Sequence, residues 1–152
     1  LSSLQWAISY ISYILSLFNL FSIPLPICQK SVSGLWCHNS FLYKISYPIF
    51  IDTEWTSGGR ANGISKETRT AVCKAFCETI KSAGYTPGVY ACKSWYQDSL
   101  NVSSLNGYKI WLAQYASQPT YSSRYDMWQY SEKGKVAGIS GNVDMNLSYL
   151  SY

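Results

Sequence analysis

The chain has 152 residues, of which 47% are hydrophobic and 13% charged, with a formal net charge of +4. Such a chain can bury enough apolar surface for one domain with a real core, which excludes disorder. Its few Lys and Arg are scattered without a basic run, which argues against a nucleic-acid partner. Tyr and Trp are abundant, 14 and 6 respectively, and their flat apolar faces with polar handles suit sugar rings as well as cores.

Residues 1–46 and 47–152 differ in character. No charged residue occurs from Leu1 to Gln29, and no acidic residue occurs anywhere in 1–46. Ala7 to Ile27 approaches membrane-spanning length but carries four Ser, an Asn and two Pro, with no basic flank before it. A buried or ill-defined element is expected there, with a membrane or secretion segment as the alternative; it makes a poor signal peptide. Cys28 to Lys44 reads as loop.

From Ile45 the pattern becomes regular. Tyr47 to Trp55 reads as a buried strand, with Pro48 near its start where a missing N–H is tolerated. It ends in Asp52-Thr53-Glu54, and strand alternation puts both acids on one face with α-carbons roughly 6–7 Å apart. A Gly-rich loop, Thr56 to Gly63, follows. Ser65 then caps a helix with Glu67 in its first turn, an apolar stripe at Val72, Ala75, Phe76, Thr79, Ile80 and Ala83, and a stop at Gly84. Thr86-Pro87-Gly88 is expected to turn the chain into a short strand, Val89-Tyr90-Ala91. Lys93 to Leu105 is weakly helical, and strands are expected at Tyr108 to Tyr115, Arg124 to Ser131 and Asn142 to Leu147. This order implies an α/β fold with a largely parallel sheet and chemistry at the carboxyl ends of its strands.

Two carboxylates at such an end suit general acid and stabilising roles in glycoside hydrolysis. Asp144, on the last strand with Asn146 on the same face, could converge on them and raise the pKa of one by like-charge repulsion. On the Arg124 to Ser131 strand, Asp126, Trp128 and Tyr130 share one face while Met127 and Gln129 take the other. Other chemistries fit poorly. There is no G-x-S-x-G motif, no phosphate loop, and only one histidine, His38. Five cysteines leave at least one thiol unpaired, and Cys73 and Cys77, four apart on a helix, make an awkward disulfide. A structural zinc site is not expected.

Taken together and in order, YPIFIDTEW, the helix ending KSAGYTPGVYA, IWLAQYA, YDMWQYS and GISGNVDMNLSY resemble the carboxyl-terminal portion of glycoside hydrolase family 25, the β-1,4-N-acetylmuramidases. The resemblance implies an incomplete or irregular (β/α) TIM-like barrel over 47–152. It implies Glu54 as catalytic acid, Asp52 and Asp144 as its supporting acids, and Tyr90, Trp111, Trp128 and Gln129 as substrate-binding residues. The implied reaction is hydrolysis, with retention, of the bond between N-acetylmuramic acid and N-acetylglucosamine in peptidoglycan. The implied site of action is extracellular or in the cell wall, with no metal or organic cofactor. Family members begin with a strand bearing a further aspartate, which 1–46 lacks. The expectation is therefore of a truncated or wrongly joined chain, weakly active or inactive as written. The alternative from another class is a non-catalytic glycan-binding module using Tyr90, Trp111 and Trp128 as stacking platforms.

Overall fold

The computed structural model describes residues 45–59 and 61–151. The expectations for 1–44, including the possible membrane segment, lie outside the described residues. Among the described residues, no helix is long and apolar enough to cross a membrane.

Five strands form one sheet in sequence order: β1 (Ile49–Asp52), β2 (Pro87–Cys92), β3 (Lys109–Ala113), β4 (Met127–Gly134) and β5 (Val143–Ser148). Strands β1 to β4 are parallel and β5 runs antiparallel to β4. One long helix, α1 (Lys66–Ser82), makes the β1–β2 crossover. Buried Ile51, Val89, Ala91, Ile110 and Leu112 form the core between the sheet and its crossovers.

The sheet is curled. In a flat sheet, β1 and β5 would lie about 19 Å apart, four strand spacings. Yet the Tyr47 hydroxyl, just before β1, lies within hydrogen-bond reach of both Met127 Sδ and Ser148 Oγ, each at 3.3 Å. Phe50 meets Trp111 edge-on across β2, with ring centroids 5.3 Å apart. Gly88 permits this, because a Cβ there would collide with the Phe50 ring. The result is a mixed α/β fold with a five-stranded half-barrel sheet.

Several expectations are corrected. β1 ends at Asp52, so Glu54 lies in the extended segment beyond the strand, which last bonds β2 through Thr53 N–H to the Tyr90 carbonyl at 3.0 Å. β2 already begins at Pro87, whose missing N–H is tolerated at a strand's first residue. Ser65 does cap α1, accepting from the Thr68 N–H at 3.2 Å, and Gly84 takes a positive φ just after the helix. The buried face of α1, however, is Arg69, Thr70, Cys73 and Cys77, while Val72 stays exposed. Small free thiols fit closely against the sheet, the Cys77 Sγ lying 3.8 Å from the Gly88 carbonyl oxygen. Lys93 to Leu105 is not one helix. A π-helical turn (Trp95–Ser99) gives way to extended Leu100, and the Asn101 N–H bonds Thr70 Oγ1 at 2.9 Å before a 3-10 turn (Val102–Leu105).

Candidate active site

Parallel register places Asp52, Tyr90, Trp111 and Met127 side by side on one face. Gln129 and Asn146, paired across β4 and β5, lie on that face too. Thr53 points the other way, toward α1, so Asp52 and Glu54 turn into the concave side of the curl. Asp144 arrives from the opposite edge of the sheet. Because β5 is antiparallel, its second residue lies at the same end as the carboxyl end of β1.

The three acids sense one another. Burial pushes the Asp52 carboxyl up to about 7, with the Glu54 charge adding to the rise. Among the described residues, its Oδ1 is buried without a hydrogen-bond partner. Glu54 is raised by loss of hydration and then by the Asp144 charge. Asp144 is raised by loss of hydration and then by Glu132, which follows a β4 irregularity between Gln129 and Ser131. Carboxylates from the first and last strands are thus drawn into one cluster by the curl.

Tyr90 lies at the centre of this group. Burial raises its hydroxyl pKa first, followed by Tyr115, Glu54, Asp52 and Asp144. Its hydroxyl donates to Gln129 Oε1 at 2.7 Å, and Tyr115 donates to the same oxygen at 3.0 Å. The Trp111 Nε1–H donates to Asn146 Oδ1 at 2.9 Å, and its ring stands edge-on to Tyr90 at 4.9 Å. Trp111 is buried, so it forms a wall of the site and presents no open stacking face. Trp128 is not brought to this face: it pairs with Leu112 on the core side and its indole N–H donates to the Gln114 carbonyl at 2.8 Å.

The sequence reading missed Tyr115 and Glu132. Tyr115 follows β3, is 53% exposed, and feels Glu132, Asp144 and Glu54. Its only signal was its place at the end of an apolar strand, where a loop can turn either way. Trp55, next to Glu54, is 66% exposed and supplies a second open aromatic face. Among the described residues, no group of His, Cys, Asp and Glu is arranged to hold a metal ion.

The profile of the glycosyl hydrolases family 25 matches residues 38–139, and the chain belongs to this family. The chain is 34% identical over 97 residues to an autolytic lysozyme of Clostridium acetobutylicum, covering 63% of this chain and 28% of that protein. Its structure resembles a family 25 glycosyl hydrolase from Bacillus anthracis with a TM-score of 0.60 and 25% identity, over 72% of this chain and 52% of the other. It also resembles the modular autolysin LytC of Streptococcus pneumoniae with a TM-score of 0.57 and 26% identity, over 71% and 27% of the two chains. The chain thus spans about a quarter of the autolytic lysozyme's length and about half of the Bacillus enzyme's.

Proposed function

We propose that this site performs the chemistry of an N-acetylmuramidase, hydrolysing the β-1,4 bond between N-acetylmuramic acid and N-acetylglucosamine in peptidoglycan. The observation that carries this reading is the cluster itself: Glu54 from beyond β1 and Asp144 from β5, opposite edges of the sheet, are electrostatically coupled around Asp52 and Tyr90. Glu54 and Asp144 are both exposed, and Asp52 lies deeper. The Glu54 pKa is raised by loss of hydration and then by the Asp144 charge, which favours its role as donor of a proton to the glycosidic oxygen as the bond from that oxygen to the anomeric carbon breaks. Asp52 is less able to reach a leaving group; protonated up to about 7, it serves to orient the sugar by hydrogen bonding, while Asp144 stabilises the positive charge that develops on the sugar. Tyr90, Trp111 and Gln129 shape the wall the sugar meets. Trp128 supports that wall from the core side.

Relatives support the substrate class. One is named an autolytic lysozyme, and LytC has also been solved with a synthetic peptidoglycan ligand. Action in or outside the cell wall follows from that substrate. The finer architecture in this proposal is a (β/α) barrel of which these five strands form one wall. The test is release of reducing ends from purified peptidoglycan by this chain. Turnover lost in Glu54→Gln supports the proposal. Binding to insoluble peptidoglycan with no turnover in the parent supports instead a glycan-binding module, for which exposed Trp55 and Tyr115 would be the stacking faces.

A further inference from the structure

Behind the strand end that carries Asp52 and Glu54 lies a buried cation. Arg69, near the start of α1, is 3% exposed. Its Nη2 donates to the Ala61 carbonyl at 2.7 Å and its Nη1 to Thr53 Oγ1 at 3.5 Å. The guanidinium carbon lies 3.9 Å from the centroid of the Trp95 ring. Among the described residues, Nε is buried without a hydrogen-bond partner and no carboxylate forms an ion pair with Arg69.

A guanidinium taken out of water with no counter-ion is unfavourable, and the aromatic stack and two hydrogen bonds return only part of the lost hydration. A Met side chain of similar length would fill the space without that cost. Stability does not account for an arginine here, but its two contacts do. Thr53 immediately precedes Glu54, and Ala61 belongs to the loop that leaves it. Among the described residues, the last bond tying this segment to β2 is the one from Thr53 N–H. Past that point the sheet cannot fix where Glu54 points.

We propose that Arg69 is the positioning residue for Glu54: braced on Trp95, it grips Thr53 and the loop at Ala61 and so holds Glu54 turned into the cleft toward Asp144. Turning Thr53 to the helix side obliges its neighbours Asp52 and Glu54 to face the cleft, because successive side chains in extended backbone alternate. The guanidinium suits the task because its planar fork spans two acceptors at once while its face stacks, which an ammonium cannot do.

The inference deepens the muramidase reading, but the positional link is measured on Glu54 itself and does not need turnover. In the full chain, carboxyl-carbon NMR titration should show Glu54 of the parent titrating above the ordinary 4.5. In Arg69→Met it should fall back toward that value, as the released carboxylate swings into water and away from Asp144. Arg69→Lys should fall as far, which separates grip from charge, and Thr53→Val should fall part of the way. An unchanged Glu54 titration in folded Arg69→Met overturns the proposal. Should that variant not fold, Thr53→Val, which keeps the β-branched shape, carries the test, and an unchanged titration there overturns it equally. If the parent releases reducing ends, Arg69→Met should lower kcat by about tenfold or more with little change in KM, the pattern of a misplaced acid. A parent with no turnover but with the Glu54 shift present and Arg69-dependent would sink the hydrolase reading and leave this inference standing.

Discussion

Replacing Asp52 by Asn should stabilise the fold at neutral pH and do nothing in acid. In the unfolded chain this carboxyl titrates near 3.8, and in the folded state burial and then the Glu54 charge raise it to about 7. The folded state therefore holds a proton between those values that the unfolded state has released. The stability contribution of this group is fully present below pH 3.8 and is lost as pH rises through 7. At about 1.4 kcal/mol per tenfold, the full rise corresponds to about 4 kcal/mol against the ionised carboxylate, and water reaching a half-buried group reduces this to about 2 kcal/mol. Asn keeps the shape without the charge. Urea unfolding from pH 3.5 to 8 should show parent and variant together at the acid end. The variant should then draw ahead by about 2 kcal/mol at pH 8, a melting-temperature gain of roughly 6–8 °C. A gap that does not change with pH, or a parent that gains on the variant as pH rises, would refute the burial of Asp52 in a crowded acid cluster.

Three further outcomes follow from the packing. Gly88→Ala drives a methyl group into the Phe50 ring and close to the Lys109 carbonyl, and should lower stability by about 1–3 kcal/mol in urea titrations. Gln129→Leu removes the acceptor shared by the Tyr90 and Tyr115 hydroxyls and should cost about 2 kcal/mol; in a double-mutant cycle, Tyr90→Phe should cost less in that background than in the parent. Ser65→Ala deletes the cap on the Thr68 N–H and should cost about 1 kcal/mol, seen as faster amide exchange in the first turn of α1.

The acid cluster and the stability of the domain pull in different directions. Among the described residues, Asp52 has a buried oxygen with no hydrogen-bond partner, and Arg69 is buried with no carboxylate in an ion pair with it. Each is unfavourable where it sits, and the two flank the same short segment, Thr53 to Trp55, from opposite faces. Of the three buried side-chain atoms without a partner among the described residues, only the Tyr121 hydroxyl lies away from this segment. Asp126 accepts from Lys109, Arg124 and the Ile110 N–H at 3.3, 2.9 and 2.9 Å at the far end of the sheet. Strain of this kind concentrated at one strand end is the signature expected of a functional site.

The elements themselves were readable in the chain because their determinants are local. Apolar runs, alternation and turn residues marked the five strands, Ser65 and Gly84 bounded the long helix α1, and the alternation of Asp52, Thr53 and Glu54 already put the two acids on one face. Boundaries shifted by a few residues, since sheet pairing rather than apolar character decides where a strand ends. The buried face of α1 was misjudged because hydropathy ranks Val72 above Arg69, while a long stem that stacks on Trp95 and bonds Ala61 can be buried when its partners are there. Only the tertiary structure decided three things. The curl set Asp144 of β5 against Glu54, two residues 90 positions apart, because closure depends on how all the strands pair. The antiparallel turn of β5 set the amino end of that strand beside the carboxyl ends of the others. Register sorted the two tryptophans, Trp111 into the site wall and Trp128 to the core side; alternation along the strand had already parted Trp128 from Gln129, but only the pairing with β3 decides which of the two faces is the site.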